Sequence, residues 1–470
     1  MLHAFDTSSG EETFAFIPTA VFPKLNKLTG KNYSHEFYVD GSPVVADVYF
    51  GSEWRTILVG TLRAGGKSIF ALDVTTPGSE KLLWEFDESN ISDENAVKPG
   101  YSFSQPTIAR LHNGKWAVVI GNGYEGANTD DGKAALYIID AQTGSLIKSL
   151  EVQGTAGIKN GLSTPRLADY NSDGIADYAY AGDLQGNLWR FDLLGSGASP
   201  NRASGNIYGD DNSNADNFKV SYGGQPMFTA TSTVGSARQP ITAPPSLIRH
   251  PTRNGYLVIF GTGKYFETTD KDGVKTHAQS VYGIWDRSTK AETTSANTIP
   301  RSSLVSQQIT NTVVATADSG DTRTARVISN NPITWYAQDG SVDKLGWYLD
   351  LRVGAAAFDG EMVIEDMYAL GQSVFFQSLV PNDDPCASGS SNWTYAINPF
   401  TGGRTNHHPF DYKGTNDGVI SAIQQSGEGG FTVSNTPDGQ YELSTGSETV
   451  RIYADPASIG RQSWRIVGSQ

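Results

Sequence analysis

Cysteine is all but missing from this 470-residue chain: Cys386 stands alone, which excludes an intrachain disulfide and any cysteine-based metal site. No apolar run approaches the roughly 18 residues that a membrane-spanning helix needs, so no transmembrane segment is expected. Long Ala/Glu/Lys/Leu stretches with a 3.6-residue period are also lacking, so helices should be few. Met1-Leu2-His3-Ala4-Phe5-Asp6 has neither a charged n-region nor an apolar h-region, so no signal peptide is read in this sequence. Positive charge is scarce. The balance of 35 Lys and Arg against 50 Asp and Glu gives a net charge of −15, which repels phosphate backbones and argues against nucleic-acid binding.

Glycine and aromatic residues are plentiful, with 51 Gly, 21 Tyr, 20 Phe and 9 Trp. Turn-forming glycine together with aromatics suited to half-buried strands is an all-β composition. One phrase recurs along the chain: a strand ends in Gly, a turn follows, and a second strand closes on Asp. Val59-Gly60 leads to Ile69-Phe70-Ala71-Leu72-Asp73, and Ile120-Gly121 to Leu136-Tyr137-Ile138-Ile139-Asp140. Ala181-Gly182 leads to Leu188-Trp189-Arg190-Phe191-Asp192, and Phe260-Gly261 to Val281-Tyr282-Gly283-Ile284-Trp285-Asp286. Leu2–Gly10 and Trp393–Gly403 fit the same phrase. Upstream of the four complete copies, Pro43, Pro106, Pro165 and Pro245 open strands, where a missing N–H is tolerated.

A β-unit that repeats at such spacing predicts a propeller, whose blades bury their faces by stacking in a ring. The turn Asp-x-x-Thr-Gly predicts an Asp that caps its own following amides and a Gly at positive φ. The expected fold is therefore an all-β, modified seven-bladed β-propeller with quinoprotein-like blades and long loop insertions. The propeller is expected over residues 1–405, with insertions near 195–240 and 287–330. Residues 406–470 are expected to supply closing strands of the same ring, with Gln440–Leu443 and Val450–Tyr453 the best candidates. The stretch 405–435 is also read as a polar excursion.

The clearest chemistry lies in Asp169-Tyr170-Asn171-Ser172-Asp173-Gly174-Ile175-Ala176-Asp177. Oxygen donors recur at positions 1, 3, 5 and 9, with Gly at position 6 for a sharp turn. Such a set suits Ca2+, which takes six to eight hard oxygen ligands. Asp169, Asn171, Asp173 and Asp177 would give side-chain oxygens, and Ile175 its backbone carbonyl. The loop is not an EF-hand, because position 12 is Tyr180 rather than Glu. It is read as a short calcium loop within one blade.

Other motifs carry less. Asp210-Asp211-Asn212-Ser213-Asn214-Ala215-Asp216 alternates donors but lacks the central Gly, and reads as a solvated loop. Asp270 and Asp272 read as a turn. Gly261-Thr262-Gly263-Lys264 has the wrong spacing for a phosphate loop. His407-His408 has no partner spaced for zinc. No nucleophile, base and orienter set stands out, so no enzyme is expected.

Leu2–Thr19, Tyr38–Thr75, Ser163–Leu193 and Gly261–Arg287 closely resemble the C-terminal region of the PilC/PilY type IV pilus biogenesis proteins. The most specific piece runs from Ala168 to Asp177 and on through Ala181-Gly182-Asp183-Leu184-Gln185-Gly186-Asn187-Leu188-Trp189-Arg190-Phe191-Asp192-Leu193. The resemblance implies a seven-bladed modified propeller with calcium at Asp169, Asn171, Asp173 and Asp177. It further implies export through the periplasm to the cell surface or pilus tip, and contact with major and minor pilins. A role in pilus extension and retraction, twitching motility and attachment to host or abiotic surfaces is implied as well. Full-length members carry a signal peptide and a variable N-terminal region; the Arg-Gly-Asp motif of some members is absent here. Two rivals remain at this point: a quinone-dependent dehydrogenase, and a surface-binding propeller unrelated to pili. The single cysteine removes the vicinal disulfide that many of those dehydrogenases carry.

Overall fold

A computed structural model describes residues 1–31, 33–194, 215–252, 254–287, 298–381, 391–425, 430–437, 439–446 and 448–454. Cys386 and Asp210 to Asn214 lie outside them. Strands dominate, and every helical element among the described residues is a 3-10 helix, from three residues long to the eleven of Thr19–Thr29.

The chain opens with an antiparallel hairpin, Leu2–Phe5 with Glu12–Phe16. The first blade is a four-stranded antiparallel sheet of Val44–Phe50, Glu53–Thr61, Ile69–Asp73 and Lys81–Phe86. The second is built from Thr107–Leu111, Trp116–Gly121, Lys133–Asp140 and Leu146–Gln153. The third orders Arg166–Ala168, Tyr178–Gly182 and Asn187–Asp192, with Lys219–Val220 and Phe228–Thr229 both paired to the last of these. A fourth, Ser246–Arg249, Tyr256–Gly261, Ser280–Asp286 and Gly346–Val353, and a fifth, Tyr368–Leu370, Ser373–Val380, Ser391–Ile397 and Ala422–Gln425, share one eleven-stranded sheet. Thr432–Asn435, Tyr441–Ser444 and Thr449–Ile452 form a final three-stranded sheet.

Each of the four prolines sits immediately before the first strand of its blade, as their missing N–H requires. Inner strands such as Ile69–Asp73, Tyr178–Gly182, Tyr256–Gly261 and Ser280–Asp286 are buried along their whole length. They read as continuous apolar runs because both sheet faces are covered. Alternation then assigns neighbours to opposite interfaces. Val118 packs with Val48, Ile57 and Val59 of the first blade, while Val119 packs with Ala179, Trp189 and Phe191 of the third. Tyr178 and Tyr180 meet Val258, Phe260 and Tyr282; Leu257 and Trp285 meet Phe376 and Tyr395; and Phe375 and Ala396 meet Leu443 and Val450. Phe14 and Phe16 of the hairpin close on Phe70 and Leu72. Face-to-face sheets in chain order are the architecture of an all-β propeller.

The recurrent turn behaves as its chemistry dictates. Asp140 Oδ1 accepts from the amides of Gln142 at 3.0 Å and Thr143 at 3.1 Å. Gly144 has φ +72°, and a Cβ there would lie 2.6 Å from the Trp84 side chain of the preceding blade. That indole donates to the Ala141 carbonyl at 2.9 Å. The arrangement repeats at Asn398–Gly402, where Trp347 donates to Pro399 at 2.8 Å and a Cβ on Gly402 would fall 2.2 Å from its ring. Gly is thus required twice over, by backbone sign and by the closeness of a tryptophan.

The expected excursions are only partly loops. Lys219–Val220 and Phe228–Thr229 lie inside 195–240 and extend the third blade, with Phe218, Met227 and Phe228 buried. Within 287–330, Val305–Ala317 is a 13-residue strand. Its start runs parallel to Gly346–Val353, its end pairs with Thr322–Ile328, and that strand reaches Ala422–Ile423 of the fifth blade. This ribbon welds two blades into one sheet. The C-terminal candidates, Tyr441–Ser444 and Thr449–Ile452, pair with each other and with Thr432–Asn435; among the described residues they have no ladder to the opening hairpin.

His250 records how tightly the fourth blade packs. Its ring stacks on Trp285 at 3.9 Å, meets Trp335 edge-on at 4.3 Å, and is 1% exposed. Burial lowers its pKa to about 4. Folding must therefore discharge a group that is protonated below about pH 6.5 in the unfolded chain. Stability from this residue is complete above about 6.5 and is lost as pH falls toward about 4, by ~3 kcal/mol in all. Urea unfolding at stepped pH should show that slope, and His250→Phe should flatten it; an unchanged slope would remove His250 as its source.

Candidate metal centre

The acidic loop leaves the third blade after Arg166–Ala168 and rejoins it at Tyr178–Gly182, two strands that pair directly. Between them the chain turns through Ser172 at φ +62° and Gly174 at φ +86°. Those left-handed residues swing Ile175–Ala176 outward to pair in parallel with Arg110–Leu111 of the second blade. The loop was expected within one blade; instead it bridges two, because the backbone donors of this short segment find partners on the neighbouring sheet. Tyr170 extends the reach to the fourth blade. Its ring lies 4.0 Å beneath the Arg249 guanidinium, that guanidinium also donates to the Tyr170 carbonyl, and Tyr256 Oη donates to the Asp169 carbonyl at 3.2 Å.

The side chains fold back on the loop. Asp169 Oδ1 accepts from the Asp173 amide at 3.1 Å and Oδ2 from Gly174 at 2.7 Å. Asn171 Oδ1 accepts from the Asp173 amide at 3.1 Å, and its Nδ2 donates to Asp173 Oδ2 at 2.8 Å. Asp173 Oδ1 accepts from Ile175 at 2.9 Å. Asp177, fully buried, accepts from Tyr170 at 2.6 Å and faces His112 Nε2 at 2.9 Å. Burial raises the Asp177 pKa; His112 and the Tyr170 amide oppose the rise, and the Asp169 charge reinforces it.

His112 escaped the sequence reading. It lies 65 positions before Asp177, and its only local signal is its place just after the strand that Ile175–Ala176 joins. Among the described residues, no three His, Cys, Asp or Glu side chains come together as a set that would hold an ion. The donor chemistry nevertheless fits a hard cation: three carboxylates, one carboxamide and the Ile175 carbonyl, all oxygen. Among the described residues each carboxylate oxygen named above meets an amide or imidazole, except for Asp173 Oδ2, which accepts from the Asn171 carboxamide, and a carboxylate oxygen offers about two lone-pair sites.

The remaining candidates do not converge. Asp216, the part of 210–216 that is described, is exposed and lies 3.9 Å from Lys148. Asp270 Oδ2 accepts from Phe266 at 3.0 Å and Glu267 at 2.8 Å, a turn as expected. Lys264 is tied to Glu267 at 2.7 Å. His407 and His408 are half-buried, with His407 Nε2 3.2 Å from the Tyr453 carbonyl.

Sheet stacking and the bridging loop define an all-β propeller whose blades are interlocked by an acidic turn. The matching family model is the PilY1 beta-propeller domain, over residues 1–320, and the chain belongs to that family. It is 51% identical over 485 residues to the type IV pilus biogenesis factor PilY1 of Pseudomonas aeruginosa PAO1, covering 99% of this chain and 41% of that protein. A PilY1 homolog of Xylella fastidiosa is 35% identical across 86% of the chain and 25% of the relative's length. The crystal structure of the P. aeruginosa PilY1 C-terminal domain matches with a TM-score of 0.84 at 49% identity, covering 97% of this chain and 90% of that one. The chain thus spans about two-fifths of the first of these relatives. They are named biogenesis factors, not enzymes.

Proposed function

We propose that this chain is the calcium-binding propeller of a type IV pilus biogenesis factor, acting at the cell surface or pilus tip after export through the periplasm. Asp169, Asn171, Asp173 and Asp177 give side-chain oxygens and Ile175 its carbonyl. The carrying observation is the position of the loop, which belongs to the third blade but pairs with the second. An ion there would draw the carboxylates inward and fix two blades against each other, presenting one surface to major or minor pilins. Regulated extension and retraction, twitching motility and attachment to host or abiotic surfaces follow from that coupling. The family's names support the pilus assignment. Counting the opening hairpin and the last sheet as reduced blades beside the five described gives the seven of a quinoprotein-type ring.

The test is a bacterium whose full-length protein carries Asp169→Ala with Asp173→Ala. Surface pili and twitching are expected to fall several-fold while the protein still reaches the surface. Normal twitching at normal surface levels would refute the proposal.

A further inference from the structure

A second site lies where five blades meet. A cavity of about 240 Å3 is lined by Arg63 from the first blade, Phe103 and Tyr124 from the second, Thr164 before the third, Tyr265 and Phe266 from the fourth, and Glu365 and Asp366 before the fifth. Phe266 stacks on Tyr124 at 4.4 Å with 13° between planes, and Phe103 closes on both, at 5.2 and 5.8 Å. A second cavity, about 160 Å3, shares this aromatic trio. Tyr265 is 43% exposed and offers open ring surface.

Each carboxylate of the lining has an arginine acting on it, one of these arginines from outside the cavity wall. Asp366 Oδ2 lies 3.5 Å from Arg166 Nη2, and the Arg63 guanidinium acts on Glu365 while sitting 5.3 Å from the Phe103 ring centre. Both carboxyls are open to water in the cavity yet walled by protein, and that enclosure raises their pKa values against the pull of the arginines. Arg63 and Glu125, one on each cavity, hold left-handed backbone at φ +46° and +58°. Ser102 Oγ fixes the first by accepting the Leu62 and Arg63 amides. Backbone held in this way by its surroundings is a mark of ligand sites.

We propose that this mouth binds a saccharide, taking one neutral pyranose ring. Such a ring needs aromatic surface for its C–H face and, around its rim, acceptors and donors for hydroxyls that both give and receive hydrogen bonds. The cavity supplies both, and its two carboxylates are each offset by an arginine, Glu365 by Arg63 on the wall and Asp366 by Arg166 beside it. Its volume falls below the roughly 300–1,000 Å3 of drug-sized sites, which suits a single ring. The proposal rests on neither the calcium loop nor the pilus role.

The test is calorimetric titration of this chain with neutral mono- and disaccharides. A parallel arm uses N-acetylated cell-wall glycan fragments, to separate bacterial from external sources, and another uses lysine methyl ester. Millimolar binding of at least one saccharide is expected, weakened roughly tenfold by Tyr265→Ala and by Glu365→Gln. The melting temperature and its response to calcium should stay unchanged in both variants. The site is overturned if no saccharide binds the parent chain, if both variants bind as the parent does, or if the lysine ester alone binds. An intact calcium response beside any of those outcomes confines the failure to this cavity.

Discussion

Arg190→Met should destabilise the protein by about 3–5 kcal/mol, the usual consequence of stripping one partner from a buried ion pair. Arg190, Asp192 and Asp286 are 0%, 0% and 1% exposed. The guanidinium donates to Asp192 Oδ1 at 3.0 Å and to Asp286 Oδ2 at 3.0 Å, and it lies 4.2 Å over the Tyr178 ring. Tyr180 and Tyr222 each donate to Asp286 at 2.7 Å, and Ser221 to Asp192 at 2.9 Å. Methionine keeps much of the volume but leaves two interior carboxylates without their cation. Asp192 and Arg190 belong to the third blade and Asp286 to the fourth, so the loss falls on the joint between them. Burial on its own would favour a neutral arginine; the carboxylates outweigh it and hold the guanidinium charged. Replacing all three charged residues by apolar ones of similar volume should cost far less than Arg190→Met alone, since what costs is the unpaired charge. Urea unfolding decides the matter. A single variant within about 1 kcal/mol of the parent would mean that water reaches the network.

The same residues show how far the sequence could be read. Asp73, Asp140, Asp192 and Asp286 end their strands where the recurring phrase put them, and the four prolines begin theirs, because both signals act within a few residues of chain. What was illegible acts at a distance. Val305–Ala317 looked like a polar loop, since Ser306, Gln308, Thr310, Asn311 and Thr312 line a strand with much of its surface in solvent. Its partners lie on both sides, at Gly346–Val353 and Thr322–Ile328, and no local period announces a ribbon shared by two blades. The loop from Asp169 to Asp177 was legible as an oxygen-rich turn. Its bridging role was not, because the parallel pairing to Arg110–Leu111 and the contacts of His112 and Arg249 are set by ring closure. The saccharide cavity was invisible for the same reason: its wall comes from turns of five blades, each unremarkable alone.

Calcium in large excess should raise the melting temperature by a few degrees, and Asp169→Ala with Asp173→Ala should abolish that rise. Saturation at about 100 times Kd corresponds to ~2.7 kcal/mol, provided the unfolded chain does not bind. The choice of positions matters. Asp177 is fully buried and holds His112 at 2.9 Å and the Tyr170 amide at 2.6 Å, so removing it would unsettle the second and third blades whether or not an ion binds. Asp169 and Asp173 are engaged chiefly with amides of their own loop, so their loss should leave the blades standing while emptying the donor set. Without an ion, the Asp169 charge makes ionised Asp177 less favourable; a divalent cation reverses that penalty by giving the carboxylates a common partner. Magnesium should stabilise less, because it demands octahedral geometry and keeps its waters. Should the double variant gain as much from calcium as the parent, the ion binds elsewhere, and the acidic turn is only a polar clasp between two blades.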